Sequence, residues 1–236
     1  MRFDPPLIPG RLERRYKRFL ADVEIDGRIQ TVHCPNPGSM LGLAEPGSRV
    51  WVSRSANPAR KLPLTWELVE AGGSLVGLNT GFANALVAEA LERRRIPELA
   101  GYGEIRREVA YGERSRIDFL LAGAGRAPCY VEVKSVTLAR QPPVAEFPDS
   151  VTARGARHLA ELEARSRRTD RAVMLFVAQR ADCNRLAIAS DIDPAYARAC
   201  AGAILAGVEV LAYACSISPQ GIEIDRPIAF RPASRP

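Results

Sequence analysis

The sequence predicts an α/β protein with an all-β N-terminal part, divided near residue 80 into two domains, 1–80 and 81–236. Two observations predict it. Up to residue 80, apolar and polar residues alternate in short runs separated by Gly and Pro, which is the period of strands. Beyond residue 80, helical spacing and apolar runs take turns, the pattern of a mixed sheet with helices on its faces. With 236 residues, 47% hydrophobic and 25% charged, the chain can bury a core in each part.

In the first part, Ala21 to Asp26 places Val23 and Ile25 on one face. Asp26-Gly27 is a two-residue hairpin signal, and Ile29 to His33 is its return strand. Ser48 to Ser53 alternates again, and Leu64 to Glu70 and Ser74 to Leu78 flank a second hairpin at Ala71-Gly72-Gly73. About five strands in so short a stretch suit an OB-like barrel, a shape used to bind nucleic acid, and suit an SH3-like barrel equally. Trp51 and Trp66 read as core residues.

In the second part, Ala83, Leu86, Val87, Ala90 and Arg94 recur at helical spacing within Phe82 to Arg95, with Thr80 as N-cap and Pro97 as the stop. Strands follow over Glu104 to Tyr111, Ser115 to Leu121 and Cys129 to Ser135. Val136 to Phe147, with two adjacent prolines, reads as irregular. Asp149 or Ser150 caps a helix running to about Arg167, and the apolar run in Arg171 to Gln179 reads as a buried central strand. Asp193-Pro194 opens a helix that Gly207 ends. Val208 to Tyr213 is another buried strand, and Ser216 to Ile224 a last hairpin around Pro219-Gln220-Gly221.

Three charges interrupt these apolar strands: Asp118 in SRIDFLLA, and Glu132 and Lys134 in CYVEVKS. Alternation puts Glu132 and Lys134 on one face, and a short Gly-rich return sets Asp118 beside Glu132. Buried charges cost several kcal/mol unless paired or metal-bound, so packing alone does not ask for them. The pattern D-x(n)-[DE]-x-K is that of metal-dependent nucleases. Two carboxylates hold Mg2+, with Mn2+ as substitute, and the lysine orients or deprotonates the attacking water. The plainer reading is a structural Glu132–Lys134 salt bridge. The order of helices and strands around the motif matches the restriction-endonuclease-like (PD-(D/E)xK) core. Glu89, the acid deep within the preceding helix, is the candidate third metal ligand, with Glu108 as alternative and a solvated carboxylate as the plain reading.

The net charge of +6 and a pI near 9.3 favour a polyanionic partner. Arg14, Arg15, Lys17 and Arg18, interleaved with Tyr16 and Phe19, mix phosphate contacts with stacking surfaces. Arg60 and Lys61 form an exposed basic loop. Arg154, Arg157 and His158 share one turn near a helix N-terminus, where a phosphate is favoured; His158 alone reads as structural. Five cysteines without a CxxC pair and two histidines argue against disulfides and zinc. MRFDPPLIPGRLERRYKRF lacks a secretory apolar run, and no stretch approaches a membrane span, so the expectation is a cytoplasmic protein. Free strand edges leave room for a homo-oligomer. No Walker A motif, dinucleotide-binding glycine pattern or helix-turn-helix is present.

Over nearly its whole length the chain resembles the sugar fermentation stimulation protein A (SfsA) family. The stretches that carry the resemblance are PLIPGRLERRYKRFLADV, TVHCPNPGSMLGL, NPARKLPLTWELVE, SRIDFLL, CYVEVKSVTL, FPDSVTARGARHLAEL and IDPAYA. The family form has threonine where this chain has Pro37. The resemblance implies an OB-like domain followed by a nuclease-like one, with Asp118, Glu132 and Lys134 matching the nuclease-like motif. It also implies sequence-non-specific DNA binding and a regulatory part in maltose and other sugar metabolism.

Overall fold

The computed structural model describes residues 1–111, 115–168 and 170–232. Its first part holds β1 (Ile8–Tyr16), β2 (Leu20–Ile25), β3 (Arg28–His33), β4 (Arg49–Arg54), β5 (Leu64–Ala71) and β6 (Ser74–Gly77). They pair in the order β3-β2-β1-β4-β5-β6, and a parallel bridge from His33 to Thr65 joins β3 to β5, closing five strands into an OB barrel. Both expected hairpins form. Asp26, Gly27, Gly72 and Gly73 all have positive φ, the backbone that two-residue turns of this hand require. The barrel core gathers Leu12, Val23, Ile25, Val32, Val50, Val52 and Trp66. The sequence reading lacked β1. Only Leu12 of its nine residues is buried, and the register slips at Leu12/Arg14, so no alternation marks it.

The second part holds α1 (Phe82–Glu92), a 3-10 turn at Pro97–Leu99, then β7 (Glu104–Tyr111), β8 (Ser115–Ala122) and β9 (Cys129–Val136). Next come β10 (Leu138–Gln141), β11 (Val144–Phe147), α2 (Ala153–Ser166), β12 (Arg171–Ala178) and β13 (Arg185–Ile188). The chain ends with α3 (Pro194–Leu205), β14 (Glu209–Ser218), β15 (Gly221–Pro227) and β16 (Ala229–Arg231). The main sheet has the order β15-β14-β12-β9-β8-β7, with β12 parallel to both β9 and β14. Helix α1 packs on one face, against Phe119, Val131, Val133 and Leu175. Helices α2 and α3 pack on the other, around Met174, Phe176, Leu159, Leu162 and Tyr196.

Several expectations are corrected. Thr80 does not cap α1; its hydroxyl donates to the Pro35 carbonyl, and Gly81 holds the cap position without a side-chain bond. Helix α1 stops at Glu92, where Arg94 turns left-handed, before Pro97 is reached. Helix α2 is capped by Thr152, whose Oγ1 accepts from Gly155 N, rather than by Asp149 or Ser150. The segment read as irregular folds as the β10–β11 hairpin around its two prolines and joins β13 and β16 in a small sheet of order β10-β11-β13-β16. Residues 1–3 pack on β15, with Phe3 N donating to Gln220 O and Ile222 N to Met1 O.

Candidate active site

The site forms where β8 and β9 part. They pair from Leu121–Cys129 to Phe119–Val131. At the next position the Asp118 carboxylate takes the place of a backbone acceptor: Oδ2 receives Val133 N–H at 2.7 Å, and Oδ1 receives the Asn84 amide of α1 at 2.7 Å. Along β9, Val131 and Val133 face α1 while Glu132 meets α2, as strand alternation requires. Asp118, Glu132 and Lys134 line one groove with Asn84, Arg154 and His158.

Glu132 is 2% exposed. Its Oε1 accepts from Lys134 Nζ at 2.7 Å and meets His158 Nδ1 at very close range. Arg154 Nε donates to His158 Nε2 at 3.3 Å. Arginine only donates, so Nε2 accepts there, while Nδ1 lies against both Glu132 Oε1 and Lys134 Nζ, the latter at 3.2 Å. Glu132 Oε2, by contrast, is buried with no hydrogen-bond partner. Burial pushes the Glu132 carboxyl up, but the His158 and Lys134 contacts outweigh it and hold it below the usual range. Asp118 is raised, first by burial and then by the neighbouring Glu132 charge, against the opposing pull of Val133 N–H, Asn84 and Lys134.

This arrangement fits a hard divalent cation. Two carboxylates, one with a buried free oxygen and the other raised by its neighbour's charge, form an oxygen donor pair whose repulsion a cation would relieve. Among the described residues no three His, Cys, Asp or Glu side chains form a ready cage. A pair of carboxylates is an oxygen donor set that a hard divalent cation can complete with water. Glu89 does not join the pair. Its carboxylate binds the Met1 amino group at 2.5 Å and Arg93 at 2.8 Å, beside β15, because it lies off the α1 stripe that faces β9. Glu108 is exposed on β7, with positive φ. Asn84 is the residue that sequence reasoning missed; the available signal was an amide within the apolar first two turns of the helix.

The basic residues divide. Arg18 reaches the cleft between the barrel and the sheet, which continues the groove through Thr80, Val133, Lys134 and Ser135. Arg15 does not face a ligand: it donates to the carbonyls of Arg18, Asn36 and Gly38 at 2.9–3.0 Å and holds that loop. Arg14 pairs with Asp22 at 2.8 Å, its side chain 70% exposed. Lys17, Arg60, Lys61 and Arg157 are exposed outside the groove, with Arg60 against His33. His158, grouped by sequence with the phosphate contacts, stands instead on Glu132.

The family descriptions "SfsA N-terminal OB domain" and "Sugar fermentation stimulation protein RE domain" match residues 14–78 and 81–221. The chain belongs to the SfsA family. SfsA relatives described as sugar fermentation stimulation protein homologs include one from Maricaulis maris, 56% identical over 97% of each chain. Another, from Ruegeria pomeroyi, is 57% identical over 95% of this chain and 98% of its own. The solved structure of Pyrococcus furiosus SfsA in complex with Ca2+ is 28% identical, covers 98% of each chain and superposes with a TM-score of 0.88.

Proposed function

We propose that this SfsA family member binds DNA along its phosphate backbone without reading base sequence. The observation that carries this reading is the continuous groove in which Arg18 of the barrel and Lys134 and Arg154 of the second domain converge. Cations drawn from two domains onto one path suit a polyanion that spans both. Three phosphate contacts on duplex DNA correspond to a log–log salt slope of about −3. Fluorescence anisotropy across a salt series, on two unrelated duplexes, tests it. Equal affinities and a slope near that value are expected, and a flat salt response would overturn the reading. A part in regulating sugar metabolism, suggested by the relatives' names, would follow from such binding.

A second reading, Mg2+-dependent phosphodiester hydrolysis, is favoured by the partnerless Glu132 Oε2. Asp118 and Glu132 would hold the cation, and Ca2+ on the Pyrococcus furiosus relative supports the choice of a hard divalent ion. Such an ion supplies Lewis acidity toward the phosphate and a more acidic bound water. The protein's own groups do the rest. His158 engages one Glu132 oxygen and so fixes which oxygen stays free. Asn84 and Val133 N–H orient Asp118. Lys134 brings positive charge to the developing phosphorane oxygens. Glu132→Ala and Lys134→Ala, assayed with Mg2+, Mn2+ and EDTA, should lose cleavage by at least about 100-fold; Glu132→Ala should retain DNA binding, whereas Lys134→Ala also gives up one of the three phosphate contacts. Wild-type binding without cleavage in every metal would leave the first reading alone standing.

A further inference from the structure

The cleft beside the catalytic groove is a chamber of about 310 Å³, at the small end of ligand pockets. One wall is the barrel loop at Asn36, Pro37 and Gly38 with Arg18; the other runs from β9 into the segment before α2. It opens onto Lys134, shared with the groove. From this we infer that the chamber takes the base of an unstacked nucleotide neighbouring the phosphate at Lys134. This rests on the DNA-binding reading and names its substrate form: single-stranded DNA, or a duplex with one nucleotide turned out.

Charge argues for a base rather than a second phosphate. The wall that includes Lys134 also carries Glu146 and Asp149, and the facing loop carries Arg18. Arg140 holds the Glu146 carboxyl below its usual range and occupies both of its oxygens, which leaves Asp149 as the acid of this wall that faces a ligand. The Asp149 carboxylate offsets the Arg18 charge, so a second phosphate gains no net attraction there, whereas the amino group of a neutral base meets an acceptor at Asp149. Of the remaining lining, Pro37 and Ser150 are exposed and offer a flat face and a hydroxyl, the kind of surface that receives an extrahelical base by stacking and an edge hydrogen bond; Phe147 and Pro148 close the floor, the Phe147 ring packed on Phe176 and Tyr196.

The chamber is preformed. Arg15 ties the loop through three carbonyls, and Asn36 Oδ1 accepts Gly38 N–H at 2.9 Å. Gly38 approaches Asp149 so closely that a Cβ there would stand 1.9 Å from Asp149 Oδ2, which fixes the width between the walls. Val151, 75% exposed and lining the chamber, is where a large side chain fills it without disturbing the core.

The experiment scans a single abasic residue along a single-stranded oligonucleotide roughly 12 nucleotides long. Wild type and Val151→Trp bind it at low salt, in EDTA and in Ca2+. Ser150→Trp serves as a second filling variant. One position is expected at which loss of the base weakens wild-type binding by about tenfold, the effect of one stacked base. In both variants the intact and abasic strands should bind alike, at the affinity wild type shows for the abasic strand. A wild type insensitive to abasic residues, or the same sensitivity in both variants, overturns the chamber while leaving DNA binding in place. No binding of any strand or duplex overturns both.

Discussion

At the scale of single residues, Glu132 is held asymmetrically. One oxygen is engaged by Lys134 and His158 and the other has no partner. If a divalent cation occupies the Asp118–Glu132 pair, it stabilises the fold by mass action: at a hundredfold excess over its Kd, by about 2.7 kcal/mol, or roughly 5–10 °C in Tm for a chain of this size. The sign of its pH dependence follows from Asp118. Burial and the Glu132 charge raise its carboxyl, so Asp118 takes up a proton at a higher pH than a free aspartate. The cation-induced rise in Tm is therefore expected to fade, as pH is lowered, above the ordinary aspartate range. Thermal melts with and without Mg2+ across pH read this directly, and Glu132→Gln should shrink the rise at every pH. A response that persists down to the pKa of free aspartate would show that Asp118 does not hold the ion.

At the scale of elements, Asp193 does more than its neighbouring cap. Thr152 caps α2 through Gly155 N, whereas Asp193 accepts Tyr196 N to cap α3 and also Thr152 N to hold the start of α2. Thr152→Ala should cost about 1 kcal/mol, an ordinary cap. Asp193→Ala should cost more, on the order of 2–3 kcal/mol, because the half-buried Thr152 N–H loses its acceptor as well; denaturant titration of both variants orders them. Equal costs would mean that the second bond contributes nothing. Asp193 as a cap was legible because Asp-Pro carries its own backbone constraint. Strand β9 was legible because its charges stand out against valines. Strands β1, β10, β11, β13 and β16 were not, since they are exposed, four residues or shorter, or interrupted by prolines. The site divided in the same way. Asp118, Glu132 and Lys134 lie on strands whose period fixes where side chains point. Glu89 and Asn84 lie on a helix whose rotation about its axis only packing decides, and His158 could be placed on Glu132 only once α2 was docked on the sheet.

At the scale of the whole molecule, the barrel and the second domain are joined by a chain of buried polar groups. Ser53 Oγ donates to Glu67 on β5, and the Asn79 amide donates to the other Glu67 oxygen. Gln179, fully buried beyond the end of β12, donates through Nε2 to Asn79 O and to Ser135 Oγ, while its backbone carbonyl receives Gly77 N–H. Ser135 follows Lys134 on β9, so the strut ends beside the groove. Burial raises the Glu67 carboxyl despite these donors, so Glu67 favours the folded state fully below the ordinary glutamate pKa and loses that contribution as pH rises through the raised one, while the Ser53 and Asn79 bonds themselves favour the ionised form. Gln179→Leu keeps the volume and removes both Nε2 bonds. Leaving Asn79 O and Ser135 Oγ short of a donor should cost about 1–3 kcal/mol. The functional consequence separates the two domains. With the barrel free to tilt, Arg18 no longer aligns with Lys134 and Arg154, so the salt slope of DNA binding should fall by about one phosphate contact. The Mg2+-dependent rise in Tm should survive, because Asp118 and Glu132 lie within the second domain. A slope unchanged in a measurably destabilised variant would mean that the barrel binds DNA independently of the strut.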